Sequence, residues 1–349
     1  MPTTTQDLYR YSQTIGFYAQ VGRGFNNPVD VALGRDGVLY VLNRAGSDVE
    51  VRMIYKRVTM CTLAEDYLGQ FGTGGRADGQ FMWPVAIAID ADERVYVSDE
   101  AMHRVSVFDK RGHFLGRWGA RGKGEGEFDR PAGIAFDPDQ QLVVVDGRNH
   151  RIQRYTKDGR FLGQWGTAGQ GPGEFNLPWG VAVDRAGDIY VADWRNDRLQ
   201  KFDSGGQFLA SYGASGSGDG EFRRPAGVAV DADGLIYVAD WGNERVQVLA
   251  PDGGFLAKFR GESGLSKWGE DYFIANQDEL EERRKANLEP ELTPSPGDDL
   301  RQESASIEKL FWGPTAVKVD DQGRVYVVDS CRHRIQVYQK IHSGGGVHG

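Results

Sequence analysis

Residues capable of acid–base, metal or anion chemistry recur through this sequence at fixed spacing. Asp99, Asp146, Asp193, Asp240 and Asp329 each stand five residues before an arginine: Arg104, Arg151, Arg198, Arg245 and Arg334. His103, His150 and His333 directly precede three of those arginines. Carboxylate, imidazole and guanidinium in one short segment are the ingredients of a general acid–base pair or an anion site. The stretch GQGPGEFNLP, residues 169–178, adds another option, because glycine-rich loops can present backbone N–H groups to phosphate. Tryptophan and arginine gather beside these elements, as Arg130, Arg148, Trp179, Trp194, Arg195, Arg223, Arg224 and Trp241.

Each option changes when the copies are compared. Where three copies have histidine before the arginine, two others have Asp197 and Glu244. Exchange with acids argues for an exposed turn and against a metal ligand. The five aspartates, spread around a repeat architecture, are expected to tether a turn and pair with a nearby arginine, not to converge on one substrate. In the first copy Asn43 and Asp48 occupy these places, which predicts the loosest unit there. The glycine loop returns as GRADGQFMWP, GKGEGEFDRP and GSGDGEFRRP, each time ahead of an apolar alternating run. A phosphate cradle is needed once and opens a helix, so these glycines read as a tight crossing, with the phenylalanine packed and the proline fixing the strand's start. Cys61 and Cys331 have no metal-type spacing and read as free thiols. No G-x-S-x-G, H-E-x-x-H or Walker pattern is present in the sequence.

What positions these residues is an internal repeat. The prolines of an F-x-x-P element fall at 28, 84, 131, 178, 225 and 314, the middle four spaced by 47 residues. Each period holds four short alternating runs; in the fourth they are 181–184, 189–193, 199–202 and 208–212, separated by turn-forming residues. Four antiparallel strands per repeat, arranged about a centre, predict an all-β, six-bladed β-propeller. The last repeat lacks a fourth strand, and the run 14–21 is expected to supply it, removing two exposed sheet edges. The pattern F-x-x-P-x-G-h-A-h-D, then h-Y-V-x-D, then N-x-R-h-Q-h-F, with h apolar, resembles the NHL repeat. Four units match closely, the last matches well and the first is degenerate. NHL propellers include peptide lyases, RNA-binding domains, sensors and protein-docking platforms, so the resemblance implies the fold and leaves the function open. The lyases hold a metal with axial histidines. The corresponding inner-strand positions here are Asp30, Ala86, Gly133, Gly180, Gly227 and Ala316, which do not carry that chemistry over. Asp30 with Asn26 and Asn27 is the one hint of the ligands that gluconolactonase-like propellers need. No cofactor is expected; a Ca²⁺ or Zn²⁺ ion in the central channel is the open alternative.

In a propeller the blade-to-blade loops share a face with the turns between second and third strands. That face is expected to gather Trp83, Arg130, Trp179, Arg223, Arg224 and Trp312 from the first set, and Arg148, Trp194, Arg195 and Trp241 from the second. Trp83 and Trp312 are equally readable as plugs between blades. Tryptophan and arginine dominate binding hot spots, so the expected binding residues are Trp179, Trp194, Arg195, Trp241, Arg130, Arg148, Arg223 and Arg224. An insert at 260–310 enters on the same face, with helices expected near 278–288, capped by Asn276 or Asp278, and near 304–310. The apolar run 268–274 has surface to pack on the ring, and residues 342–349 read as a flexible glycine-rich tail to a single domain spanning 1–349. The formal charge is −9. The insert carries much of it, with seven basic and thirteen acidic residues. The amino-terminal segment has no signal-peptide pattern and no apolar run reaches membrane-spanning length, which gives a soluble, cytoplasmic expectation. The function expected is therefore a non-catalytic platform for a protein or peptide. A lyase or lactonase at the channel mouth is the alternative, and single-stranded RNA binding ranks third, without the dense basic stripes it needs.

Overall fold

The computed structural model describes residues 5–45, 55–290 and 300–341. Six four-stranded antiparallel sheets form the six blades of a propeller. The fourth blade shows how closely local pattern sets the elements: its strands are Val181–Val183, Ile189–Asp193, Arg198–Phe202 and Phe208–Tyr212. The inner three strands bury apolar residues on both faces, while the outer strand alternates exposed and packed residues, as in Phe208–Tyr212. Blade twist turns these faces against the next blade. Among the described residues the core is six apolar clusters that join neighbouring blades; one joins Val143 and Ile152 of blade three to Ile189 and Phe202 of blade four.

The phenylalanine of each joint, at positions 25, 81, 128, 175, 222 and 311, is fully buried. Removing a phenylalanine's full apolar surface from water is worth about 1.5–3 kcal/mol, repeated at every joint. The preceding loop needs its glycines for contact reasons: a Cβ on Gly166 would lie 2.5 Å from the Phe175 ring. The phosphate-like glycine loop is occupied by its own chain. The Glu174 carboxylate accepts the N–H groups of Gln170 and Gly171 at 3.0 and 2.9 Å. Glu127 and Glu221 do the same for Gly124 and Gly218.

The ring closes through the amino terminus, by strand Tyr9–Ile15 on Arg334–Lys340. This strand lies earlier than the expected 14–21, because Gly16, at φ +94°, turns the chain away against Phe25. The insert departs further from expectation. Its helices are Lys267–Ala275, Gln277–Lys285 and Leu300–Ser306. The first was not expected as a helix; Ser266 caps it, accepting the Gly269 N–H at 3.0 Å. The third replaces the helix expected at 304–310. Asn276 precedes the second helix without a capping hydrogen bond; its amide donates instead to the Tyr272 carbonyl at 2.8 Å. Trp268 is buried at the seam, its indole N–H donating to the Glu65 carbonyl at 2.7 Å. Where other blades end their outer strand in an aromatic, such as Trp118 or Trp165, the closing strand ends in Ile15, and Trp268 packs in the same cluster. The tail expected at 342–349 lies outside the described residues.

Candidate binding site at the channel mouth

The recurring aspartates are tethers. Asp146, Asp193, Asp240 and Asp329 are wholly buried. In each, one carboxylate oxygen accepts a backbone N–H from the incoming loop, at Asp129, Asn176, Arg223 and Trp312, all at 2.7 Å. The other oxygen takes the Nε of the arginine five residues on, at 2.8–3.0 Å. Asp99 holds the Met82 and Trp83 N–H groups, while Arg104 turns instead to the carbonyls of Ala77 and Gln80. Burial pushes these carboxyls up, against the opposing pull of their donors. In blade one the arginine's place belongs to Arg57, not Asp48: the ladder pairs Asn43 with Arg57, and Asp48 lies outside the described residues. The extra residues of blade one sit between them.

The residue before each arginine is a latch between blades, not an exposed turn. His103, His150, Asp197, Glu244 and His333 all adopt left-handed backbone angles. Their side chains accept the N–H of the residue before the next blade's proline: Arg130, Leu177, Arg224, Gly313 and Asn27. The position requires an acceptor, and imidazole or carboxylate serves equally. That explains the exchange of histidine with acids. Lys56 stands here in blade one and cannot accept; its ammonium donates to the Arg44 carbonyl at 2.7 Å. Glu244 also binds Arg301 of the insert at 2.7 Å, and burial pushes its carboxyl up to about 7.

With tethers and latches engaged, two rings of variable residues surround the channel mouth. One follows the prolines: Val29, Val85, Ala132, Trp179, Ala226 and Thr315. The other follows the tethers: Arg44, Glu100, Gly147, Trp194, Trp241 and Ser330. The positions after the prolines and the tethers converge here, while the tether aspartates, as expected, do not. Arg44, Trp179, Trp194, Trp241 and Thr315, together with Val29, Val85 and Ala226, line a funnel of ≈ 170 Å³. Trp179, Trp194 and Trp241 form a crescent with ring centroids 6.3 and 6.4 Å apart. Arg224 lies over Trp194 at 5.0 Å and Arg195 at 5.9 Å, while Arg301 covers Trp241 at 4.8 Å.

The eight expected residues do not form one pocket. Arg223 and Arg224 line a cleft of ≈ 450 Å³ with Trp241 and Arg301. Arg130 and Arg148 line another, of ≈ 530 Å³, with Trp83 and Glu100. Glu100 pairs with Arg130 at 3.0 Å. Trp83 is half-buried beneath Arg44 and Lys56, and Trp312 beneath Arg332. Sequence comparison passed over Arg44 and Thr315, although each holds the ring position whose tryptophans were noticed.

Below the mouth the channel is nearly closed. A Cβ on Gly133 would meet the Trp179 carbonyl at 2.6 Å, and one on Gly180 the Ala226 carbonyl at 2.4 Å. Small inner-strand residues are thus required by ring closure. The remaining cavity, ≈ 30 Å³, has room for a water. Asp30, the carboxylate there, is engaged by Lys318 at 3.2 Å and by the N–H groups of Val31 and Ile87. Among the described residues no group of three or more His, Cys, Asp or Glu could hold a metal. Asp30 is the one carboxylate among the residues lining this cavity. Cys61 and Cys331 are both free, and burial raises the Cys61 thiol to about 12.

Five segments match the NHL repeat model: residues 81–108, 128–155, 175–202, 222–249 and 311–338. These are the second to sixth blades. The chain is an NHL-repeat propeller. Blade one of this NHL propeller, with Asn43 for the tether and Lys56 for the latch, lies outside the match. A streptogramin B lyase structure is similar over 97% of this chain and 100% of its own, with TM-score 0.56 and 11% identity. A catalytically inactive virginiamycin B lyase from Staphylococcus aureus with quinupristin covers 95% and 100%, with TM-score 0.56 and 12% identity. A protein of unknown function from Bacteroides thetaiotaomicron covers 96% and 76%, with TM-score 0.59 and 17% identity. At such identities the likeness is one of fold. No curated protein matches the sequence. Among the described residues no helix is long and apolar enough to cross a membrane.

Proposed function

We propose that this NHL propeller is a non-catalytic platform that binds a protein or peptide through the face around the channel mouth. The observation carrying this reading is the Trp179–Trp194–Trp241 crescent with arginines over its rings. Aromatic and arginine side chains at the centre of a surface are the residues from which interface hot spots are made. The funnel is smaller than the ~300–1,000 Å³ of pockets that enclose a small-molecule substrate. A lyase or lactonase acting there would draw its acid or base from outside the funnel, whose lining offers none. The test is capture of protein partners from an extract of the source cells by wild type and by a Trp194→Ala, Trp241→Ala double variant. The variant is expected to lose the captured partner while keeping the wild-type melting curve. Undiminished capture refutes the reading, and stoichiometric Zn²⁺ or Ca²⁺ in the purified protein would favour the enzyme.

A further inference from the structure

Arg44 is half-buried, where Arg148, Arg195, Arg223 and Arg224 around the same mouth are exposed. Blades three to six give their tether-paired arginines a carboxylate, and Arg130 has Glu100. Arg44 lines the funnel with no hydrogen bond or ion pair to its guanidinium among the described residues; its one close partner is the Trp83 ring, 4.8 Å from Cζ. The acids whose charge could answer it are occupied. Glu100 is bound to Arg130, Asp30 to Lys318, and Asp99 to backbone N–H groups. Lys56, buried and also over Trp83 at 5.1 Å, adds a second cation. Burial, only partly offset by Glu100 at Arg44 and by Asp99 at Lys56, lowers the affinity of both cations for their protons, Lys56 to about 8. Across the joint, the Thr315 hydroxyl oxygen is buried on the same funnel with no hydrogen-bond partner. Arg44, which has no ion pair, and Thr315, whose hydroxyl is unpaired, line one cavity, and a single carboxylate would stabilise both.

We propose that the funnel is a carboxylate pocket that takes the acidic side chain of a bound peptide. Arg44 and Thr315 donate to the carboxylate, and the tryptophan crescent packs the methylene stem. This rests on the platform reading and names what the platform selects. A side chain is favoured over a chain terminus because clefts open on both sides of the funnel, one at Arg130 and Arg148, the other at Arg223 and Arg224. The peptide can therefore run across the mouth, with exposed arginines reading further negative charge.

The test uses random linear peptides displayed as amino-terminal fusions on phage, which present no free carboxyl terminus, panned on wild type and on Arg44→Gln. Expected is enrichment of peptides sharing one Asp or Glu, lost on Arg44→Gln. A capped synthetic peptide from the enriched set should bind about 10- to 100-fold more weakly when that acid becomes its amide. Thr315→Val should weaken it in the same direction, and Arg44→Lys should retain part of the affinity. Because Arg44 is unpaired in the free protein, Arg44→Gln should melt no lower than wild type; a lower melting point makes it structural and overturns the proposal. Enrichment without an acid preference, or persisting on Arg44→Gln, also overturns it but leaves the platform standing. So does equal competition by a peptide whose only carboxylate is its free terminus. No enrichment on wild type removes both.

Discussion

Glu244 couples three parts of the molecule, and its titration should be visible in stability. Its side chain is 1% exposed, latches the Gly313 N–H and holds Arg301. Arg301 in turn lies over Trp241. Burial outweighs these partners and moves the carboxyl from its ordinary 4.5 to about 7. At about 1.4 kcal/mol per pH unit, the difference corresponds to ~3 kcal/mol. Between pH 4.5 and 7 the folded state keeps a proton that the unfolded chain has lost. The unfolded state then binds fewer protons, so stability falls as pH rises through that window. The contribution is fully present below pH 4.5 and gone above about pH 7.

Glu244→Gln isolates this effect from the tether aspartates, whose raised carboxyls add slope of the same sign. Glutamine keeps an acceptor for Gly313 and removes the titration. Urea unfolding from pH 4.5 to pH 8, read by linear extrapolation, gives the difference between variant and wild type. Relative to wild type, the variant should gain ~3 kcal/mol across the series. A difference constant within ~0.5 kcal/mol would mean that the carboxyl titrates normally, and that Arg301 and the Gly313 N–H fully offset its burial.

Two further outcomes follow from the ring. Asp240→Ala should cost about 3–5 kcal/mol by stranding buried Arg245, and the cycle with Arg245→Met should show strong coupling; additive losses in urea unfolding would contradict the tether. Gly180→Ala should lower the melting temperature, since its Cβ would sit 2.4 Å from the Ala226 carbonyl; an unchanged melt would mean that the waist is looser than the contacts require.

The blades were legible because one local pattern recurs at 47 residues and every copy must bury the same faces. Trp179, Trp194 and Trp241 were legible as exceptions to that pattern. Arg44 was hidden by the same reasoning. Asn43 was placed at the tether position, but attention to the tryptophans passed over the residue after it; the Asn43–Arg57 ladder pairing makes Arg44 the counterpart of Trp194 in the ring. The insert's first helix was read only as an apolar run, since what fixes Trp268 is a carbonyl 203 residues away in the chain. The histidines were read as exposed turn residues, because an inter-blade acceptor looks like one until the next blade's N–H is placed beside it.

A ring of near-identical blades has a problem of specificity, because symmetry offers every ligand several equivalent sites. Around this mouth the equivalent positions have diverged: arginine, glutamate, glycine, tryptophan, tryptophan and serine after the tethers. The tethers, with latches at five of the six joints, hold those positions in place, so a change of side chain alters chemistry without altering the frame. Blade one departs most at both positions, and its departures bring Arg44 and Lys56 beside Trp83. Loss of the tether acid is what leaves Arg44 next to a neutral asparagine. The degenerate repeat is thus the blade that contributes the unpaired charge, and the regular blades four and five supply the aromatic wall it faces.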